Sequence, residues 1–199
     1  MNAHFLADHP EREGPDGAAP APLVERLLAA RTVLVFGEIT PALAERACAQ
    51  LLSLAAGGRE PIRVVICSPG GHVESGDAIH DVIRFIEPPV KIVGTGWVAS
   101  AGALIFVAAP RERRFALPNT RFLLHEPSGG VSGAVTDIEI EARQVVAIRE
   151  RQQRIFAEAT GQPLEKLARE MNRNHWLTAT EAVEYGLAGR IIGHVSELG

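Results

Sequence analysis

A chain of 199 residues, 46% hydrophobic and 22% charged, has the make-up of one substantial globular domain or at most two small ones. A formal charge of −4 argues against nucleic acid or an anionic membrane as the main partner. Aromatic residues make up only 5%, so the core should be aliphatic and alanine-rich, and the two cysteines, Cys48 and Cys67, form no CxxC or Cys–His metal pattern.

The elements follow in chain order. Residues 1 to 21 are rich in Pro, Gly, Ala and acid and read as a mobile tail ahead of a single domain over 22–199. The opening MNAHFLADHPEREG lacks the basic start and apolar run of a secretory signal. LVERLLAA reads as a short amphipathic helix, TVLVFGEI as a strand and PALAERACAQLLSLAAGG as a helix closed by glycines. RVVICS is a second strand that takes in Cys67 as a small core residue. SPGGHVESG then leads into a helix AIHDVIRFIE, which stops before Pro88 and Pro89.

The stretch from Ile92 to Ala109 carries no charge and is long enough to span a bilayer. It divides, however, into a β-branched strand VKIVG, a turn GTG and a helix WVASAGALIFVAA. A buried strand–turn–helix accounts for it, so no membrane partner is expected. RFALP and TRFLLH are short strands, PSGGVSG is a loop, and AVTDIEIEARQVVAIRERQQRIFAEATG is one long helix. PLEKLAREMN and ATEAVEYG are two further helices, and RIIGHV is a closing strand. Strands alternating with helices imply parallel β/α layers.

Three features at strand ends carry chemistry. Ser100 falls in the first turn of the helix after a buried strand, where backbone N–H groups lack intrahelical partners and can receive an oxyanion. Read blandly, it is a cap. Gly70 and Gly71 follow RVVICSP and can turn an N–H toward a ligand or form nothing more than a tight turn. His125 ends RFLL and is either a structural hydrogen-bonder or a base. Together an alcohol, an imidazole and backbone donors make an acyl-transfer set.

SPGG, GWVASAGA, RFALPN, LLHEPSGG, TDIEIEAR, ATGQ and LTATEAVEYGL occur in that order from about Leu23 to Val195. With them the sequence resembles the proteolytic subunit of the ATP-dependent Clp protease. The resemblance implies an α/β fold, the single-domain β/α superhelix shared with the crotonases. It places Ser100 on the nucleophile and His125 on the general base, with Gly71 and Ala101 as the oxyanion hole. Gly70, Pro127, Gly129 and Gly130 would line the substrate backbone. It further implies heptameric rings stacked into a tetradecamer around a chamber, joined by a handle helix within 134–160. The partners would be polypeptide substrates, an ATPase unfoldase and, in a mixed ring, an active paralogue. The setting would be cytoplasmic, with no cofactor and no metal.

Departures from the family pattern carry consequences. The triad acid should precede HWLTATEAVEYGL, where this chain has Asn174. An amide can orient the imidazole but cannot offset the charge that appears when His125 takes the serine proton. A serine endopeptidase of weak or conditional activity is therefore expected. Glu126 is adjacent to His125 but on the opposite strand face, while Glu170 remains open as a substitute acid. Asn172 stands where relatives carry an acid that pairs across the ring–ring interface with the arginine, here Arg173. Gly189 also replaces a usual acid, and the tail lacks the apolar lead-in of an entrance pore. The alternatives are a structural or regulatory ring subunit and, less well supported for want of placed carboxylates, a crotonase-like acyl-CoA enzyme. A Ser–Lys peptidase finds no motif around Lys91 or Lys166.

Overall fold

β-branched runs set the centre of the sheet. TVLVF forms β1 (Thr32–Phe36) and IRVVICS forms β2 (Ile62–Ser68), which pair in parallel with Val33 opposite Val64 and Phe36 opposite Cys67. The structure is a computed structural model that describes residues 21–127, 129–130 and 132–198. Of the tail expected over residues 1–21, residues 1–20 lie outside the described residues, as do Ser128 and Val131 of the PSGGVSG loop, and Ala21 already belongs to a helix.

β3 (Val90–Ala99) is longer than expected, because GTG continues the strand instead of turning into the helix. Its register against β2 slips between Ile66–Gly94 and Ser68–Val98, a bulge that re-aims the strand. Ahead of the bulge β3 pairs with β4 (Arg114–Ala116), and beyond it with β5 (Arg121–Leu124). The Gly94 carbonyl accepts from Leu117 N and Thr120 Oγ1, so the irregular backbone stays satisfied. β5 therefore offers Trp97–Ala99 an edge, and the helix is left with only α4 (Ala101–Phe106).

A four-residue strand that the sequence reading passed over, β6 (His175–Thr178), adds antiparallel to β5. The closing strand shrinks to β7 (Arg190–Ile191) beside β4 before the chain turns into a 3₁₀ segment. Seven strands thus run β1-β2-β3-β4-β7, with β5 and β6 branching from the far half of β3.

The helices are α1 (Ala21–Ala29), α2 (Pro41–Ala56), α3 (Val73–Phe85), α5 (Val135–Thr160), α6 (Leu164–Glu170) and α7 (Ala179–Tyr185). Thr40 caps α2 by accepting from Leu43 N, with Pro41 at the first helical position. α7 starts on a capping box in which the Glu181 carboxylate takes both the N–H and the hydroxyl of Thr178. α3 begins earlier than AIHDVIRFIE suggests, since HVESG already forms its first turn with Glu74 at the favourable end of the dipole. No helix among the described residues is long and apolar enough to cross a membrane.

The core is aliphatic as expected, with Ile39, Leu51, Ile62, Ile66, Ile79, Ile92 and Leu104 fully buried, and all of α4 lies inside it. Arg114 is the largest of the polar side chains buried with it: it is 2% exposed and donates Nη2 to Ala159 O at 2.7 Å, while Nε and Nη1 find no partner among the described residues. Burial first, and Arg111 second, pull its guanidinium down to about 10. Gly189 now has a structural reason. A Cβ there would lie 2.2 Å from the Arg111 carbonyl oxygen, so the absence of a side chain lets β7 close against that turn.

Candidate active site

Two strand ends and one glycine turn meet at Ser100. The residue joins β3 to α4 with φ 55° and ψ −121°, a conformation that glycine adopts readily and a side chain adopts only under strain. The strain is held in place from three directions. Ala99 pairs with Leu123, the Ser100 N–H donates to Leu123 O at 2.9 Å, and α4 continues at once into the core. The serine hydroxyl caps no backbone donor, which removes the bland reading of Ser100 as a helix cap.

The SPGG turn presses on the same residue. A Cβ at Gly70, whose φ is +99°, would sit 2.6 Å from Ser100 Cβ and 3.2 Å from Ser100 Oγ, so only glycine allows this approach. Gly71 forms a parallel bridge with Ile39, in which Ile39 N donates to Gly70 O and His72 N donates to Ile39 O. That pattern uses the groups on either side of Gly71 and leaves its own N–H outside the ladder. Ala101 is the first residue of α4, so its N–H likewise has no intrahelical acceptor.

β5 delivers the imidazole. In the parallel register Ala99 stands beside Leu123, so His125 leaves β5 next to the start of α4. Across β5, the antiparallel pairing of Leu124 with His175 puts Asn174 opposite His125, one step beyond the last ladder pair. His125 and Asn174 face one cleft of about 650 Å³, bordered also by Glu126, Pro127, Gly129, Asn172, Arg173 and Val145. A second hollow of about 260 Å³ runs from Gly71 past Val73 and Pro127 to Val145 and Ile148. Gly129 belongs to both hollows, whereas Gly130 is simply exposed. Val145 and Ile148 were not singled out from the sequence; their i, i+3 spacing on one face of α5 was the available signal.

Gly70 lies against Ser100, and His125 shares a cleft with Asn174, but the hydrogen-bonded chain of a triad is not closed. Among the described residues Ser100 Oγ, the His125 ring and the Asn174 amide make no side-chain hydrogen bond. Neither substitute carboxylate is free. Glu126 lies 3.8 Å from Arg149, and Glu170 accepts from the Tyr185 hydroxyl at 2.7 Å. Burial and that same carboxylate push the Tyr185 phenol well above its ordinary range, so it stays a donor. Among the described residues no cluster of His, Cys, Asp and Glu is placed to hold a metal ion.

The sequence profile of the Clp protease family matches residues 16–195. This chain belongs to the Clp protease family. Proteins of similar sequence include the ATP-dependent Clp protease proteolytic subunit 3 of Rhizobium etli, 58% identical over 83% of this chain and 86% of its own length. Subunit 2 of Pseudomonas aeruginosa is 52% identical over 93% of each chain. Among solved structures, ClpP1 from Listeria monocytogenes superposes with a TM-score of 0.80 at 48% identity, covering 89% of this chain and 99% of its own. An Asn-to-Asp mutant of the same Listeria protein superposes with a TM-score of 0.83. The Clp fold is thus the observed one: a single α/β domain whose parallel sheet carries helices on its connections.

Proposed function

We propose that this chain is the serine endopeptidase subunit of a self-compartmentalised Clp-type protease that hydrolyses peptide bonds of unfolded polypeptides. The observation that carries this reading is the strained Ser100, pressed by Gly70 and flanked by the end of β5 that bears His125. A backbone that holds a side chain at a glycine-type conformation, with its hydroxyl uncommitted, is a device for presenting a nucleophile.

The chemistry follows from the placement. His125 takes the proton as Ser100 Oγ attacks the scissile carbonyl, and the developing oxyanion is received by the N–H groups of Gly71 and Ala101. His125 then returns the proton to the departing amine, leaving an acyl-enzyme that water opens by the same steps in reverse order. Pro127 and Gly129, which border both hollows, line the approach of the substrate backbone together with Gly70 and the exposed Gly130, and the hollow between Val73, Val145 and Ile148 takes a side chain. Asn174 stands in the acid's position and orients His125 without neutralising it, so turnover is weak or conditional.

The assembly reading rests on α5. No residue from Val135 to Arg151 is buried, yet Val135, Ile138, Ile140, Val145 and Val146 are apolar, an arrangement that calls for cover by another copy. Stacked heptameric rings, homomeric or mixed with a paralogue, supply that cover, with Arg173 at the ring–ring contact and an ATPase unfoldase feeding polypeptide in the cytoplasm. The domain would take in α1 from Ala21, one residue earlier than the 22–199 read from the sequence, with the residues before it as a tail.

A fluorophosphonate probe tests the reading directly. Covalent label on Ser100, lost in Ser100→Ala, is the expected result; an intact oligomer without label overturns it. One observation favours a second reading, a structural or regulatory subunit that depends on an active paralogue: among the described residues the side chains of Ser100, His125 and Asn174 make no hydrogen bond. Label appearing only after a paralogue is added would select that reading.

A further inference from the structure

One buried polar atom near the site lacks a partner. His175 Nε2 is enclosed, and no hydrogen bond reaches it among the described residues. A buried imidazole nitrogen with nothing to bond to is costly, and its surroundings explain where it would go. The Glu170 carboxylate lies 3.9 Å away, beyond hydrogen-bond reach by about 1 Å. That carboxylate is fixed in turn by the Tyr185 hydroxyl at 2.7 Å, and the Tyr185 ring tilts against the imidazole with centroids 5.5 Å apart.

The position of His175 in the sheet gives this gap its meaning. His175 is the first residue of β6 and pairs with Leu124, the last residue of β5. The next step outward on the two strands is Asn174 and His125, which belong to no ladder pair. A strand end frays unless something holds it, and side chains alternate, so a tether on His175 acts from the face opposite Asn174.

We propose that His175 is a positioning residue for the reaction: by donating Nε2–H to the Tyr185-held Glu170 carboxylate it locks the start of β6, so that Asn174 meets His125. Closing the gap lets the ladder extend by one pair, and directly opposed residues in an antiparallel ladder stand about 4.5–5.5 Å apart at Cα, within reach of a side-chain hydrogen bond. The Arg169 charge also acts on the Tyr185 phenol, whereas three other charged groups have partners of their own. Lys166 lies over the Tyr185 ring and donates to Gln162, Glu181 is held in the α7 capping box, and Glu126 lies beside Arg149. The inference rests on the serine-peptidase reading of the site.

The test compares His175→Leu, His175→Gln and Tyr185→Phe in the full-length, assembled protein. Glutamine keeps an uncharged donor near the place of Nε2, leucine keeps only volume, and the phenylalanine releases Glu170. The rate of fluorophosphonate labelling at Ser100 should fall roughly 10- to 100-fold in His175→Leu, as for any catalytic group displaced by about 1 Å, and return to within about twofold of wild type in His175→Gln. Tyr185→Phe should slow labelling in the same direction, and it carries the test should His175→Leu fail to fold. In ¹³C-histidine spectra the His125 ring signal should be single in wild type and His175→Gln but split or broadened in Tyr185→Phe. Labelling of His175→Leu at the wild-type rate overturns the proposal, as does equal slowing by leucine and glutamine in folded protein. If the wild type takes no label at all, the serine reading fails, while the His125 spectra still decide whether the tether acts on that ring.

Discussion

Adding a carboxylate beside His125 is the sharpest single perturbation of the proposed site. Asn174→Asp places a carboxylate opposite His125, beyond the last pair of β5 and β6. In a buried serine-protease triad the reverse change costs about 10⁴ in kcat, roughly 5.5 kcal/mol. Here the full amount is not expected, because Asn174 is exposed at the edge of an open cleft and Arg173 stands next to it. An ion pair at about 4 Å is worth about 1 kcal/mol in water and about 4 kcal/mol at an effective dielectric near 20. The gain should therefore be about 10- to 10³-fold in kcat for a short fluorogenic peptide. KM should change little, since the imidazolium exists only as the proton moves. Active-site titration of Ser100 must accompany the assay so that rate is expressed per competent site. A folded, fully labelled Asn174→Asp protein with unchanged kcat would refute the electrostatic argument and leave His125 alignment as the limit.

Ser100→Gly should remove label and also relieve backbone strain, raising stability by about 1 kcal/mol, or roughly 2–4 °C in the thermal midpoint; a lower midpoint would mean that the strain is not there. Gly70→Ala should abolish labelling while Gly129→Ala barely affects it, because a Cβ at Gly70 meets Ser100 and one at Gly129 meets nothing within 4 Å; equal effects on labelling rate would contradict the geometry. Thr178 holds the Glu181 carboxyl below its ordinary range, so that contribution is in place above the usual carboxylate pKa and is lost as pH falls through the lowered value. Glu181→Gln should flatten that part of the acid unfolding curve, and an unaltered curve by circular dichroism would show the capping box to be idle.

Much of the architecture was legible because hydrophobic period and breakers agree over most of the chain. The runs TVLVF, RVVICS and RFLL, and the helix that ends at Gly161, needed no tertiary information. GTG misled because glycine pairs mark turns and bulges alike, and only the availability of β5 as an edge decides between them. HWLT is too short to show a period and owes its strand to the neighbour it pairs with. At the site, strand-end residues could be named because chain order places them at the same edge of a parallel sheet. What the sequence withheld was contact between distant side chains: that Glu170 turns to Tyr185, that Glu126 turns to Arg149, and that His175 Nε2 is left alone.

The bare half of α5 has a consequence for the life of the polypeptide. A helix whose first turns rest on nothing has only its own backbone bonds to keep it wound, and in water such a segment opens readily. In the assembly proposed above, a copy that finds no companion soon after synthesis presents a ready cutting place between Val135 and Gln144, whereas an engaged copy conceals it. Surplus subunits would be culled by the same kind of chemistry they are built to perform, and limited digestion of dilute against concentrated protein would expose the difference.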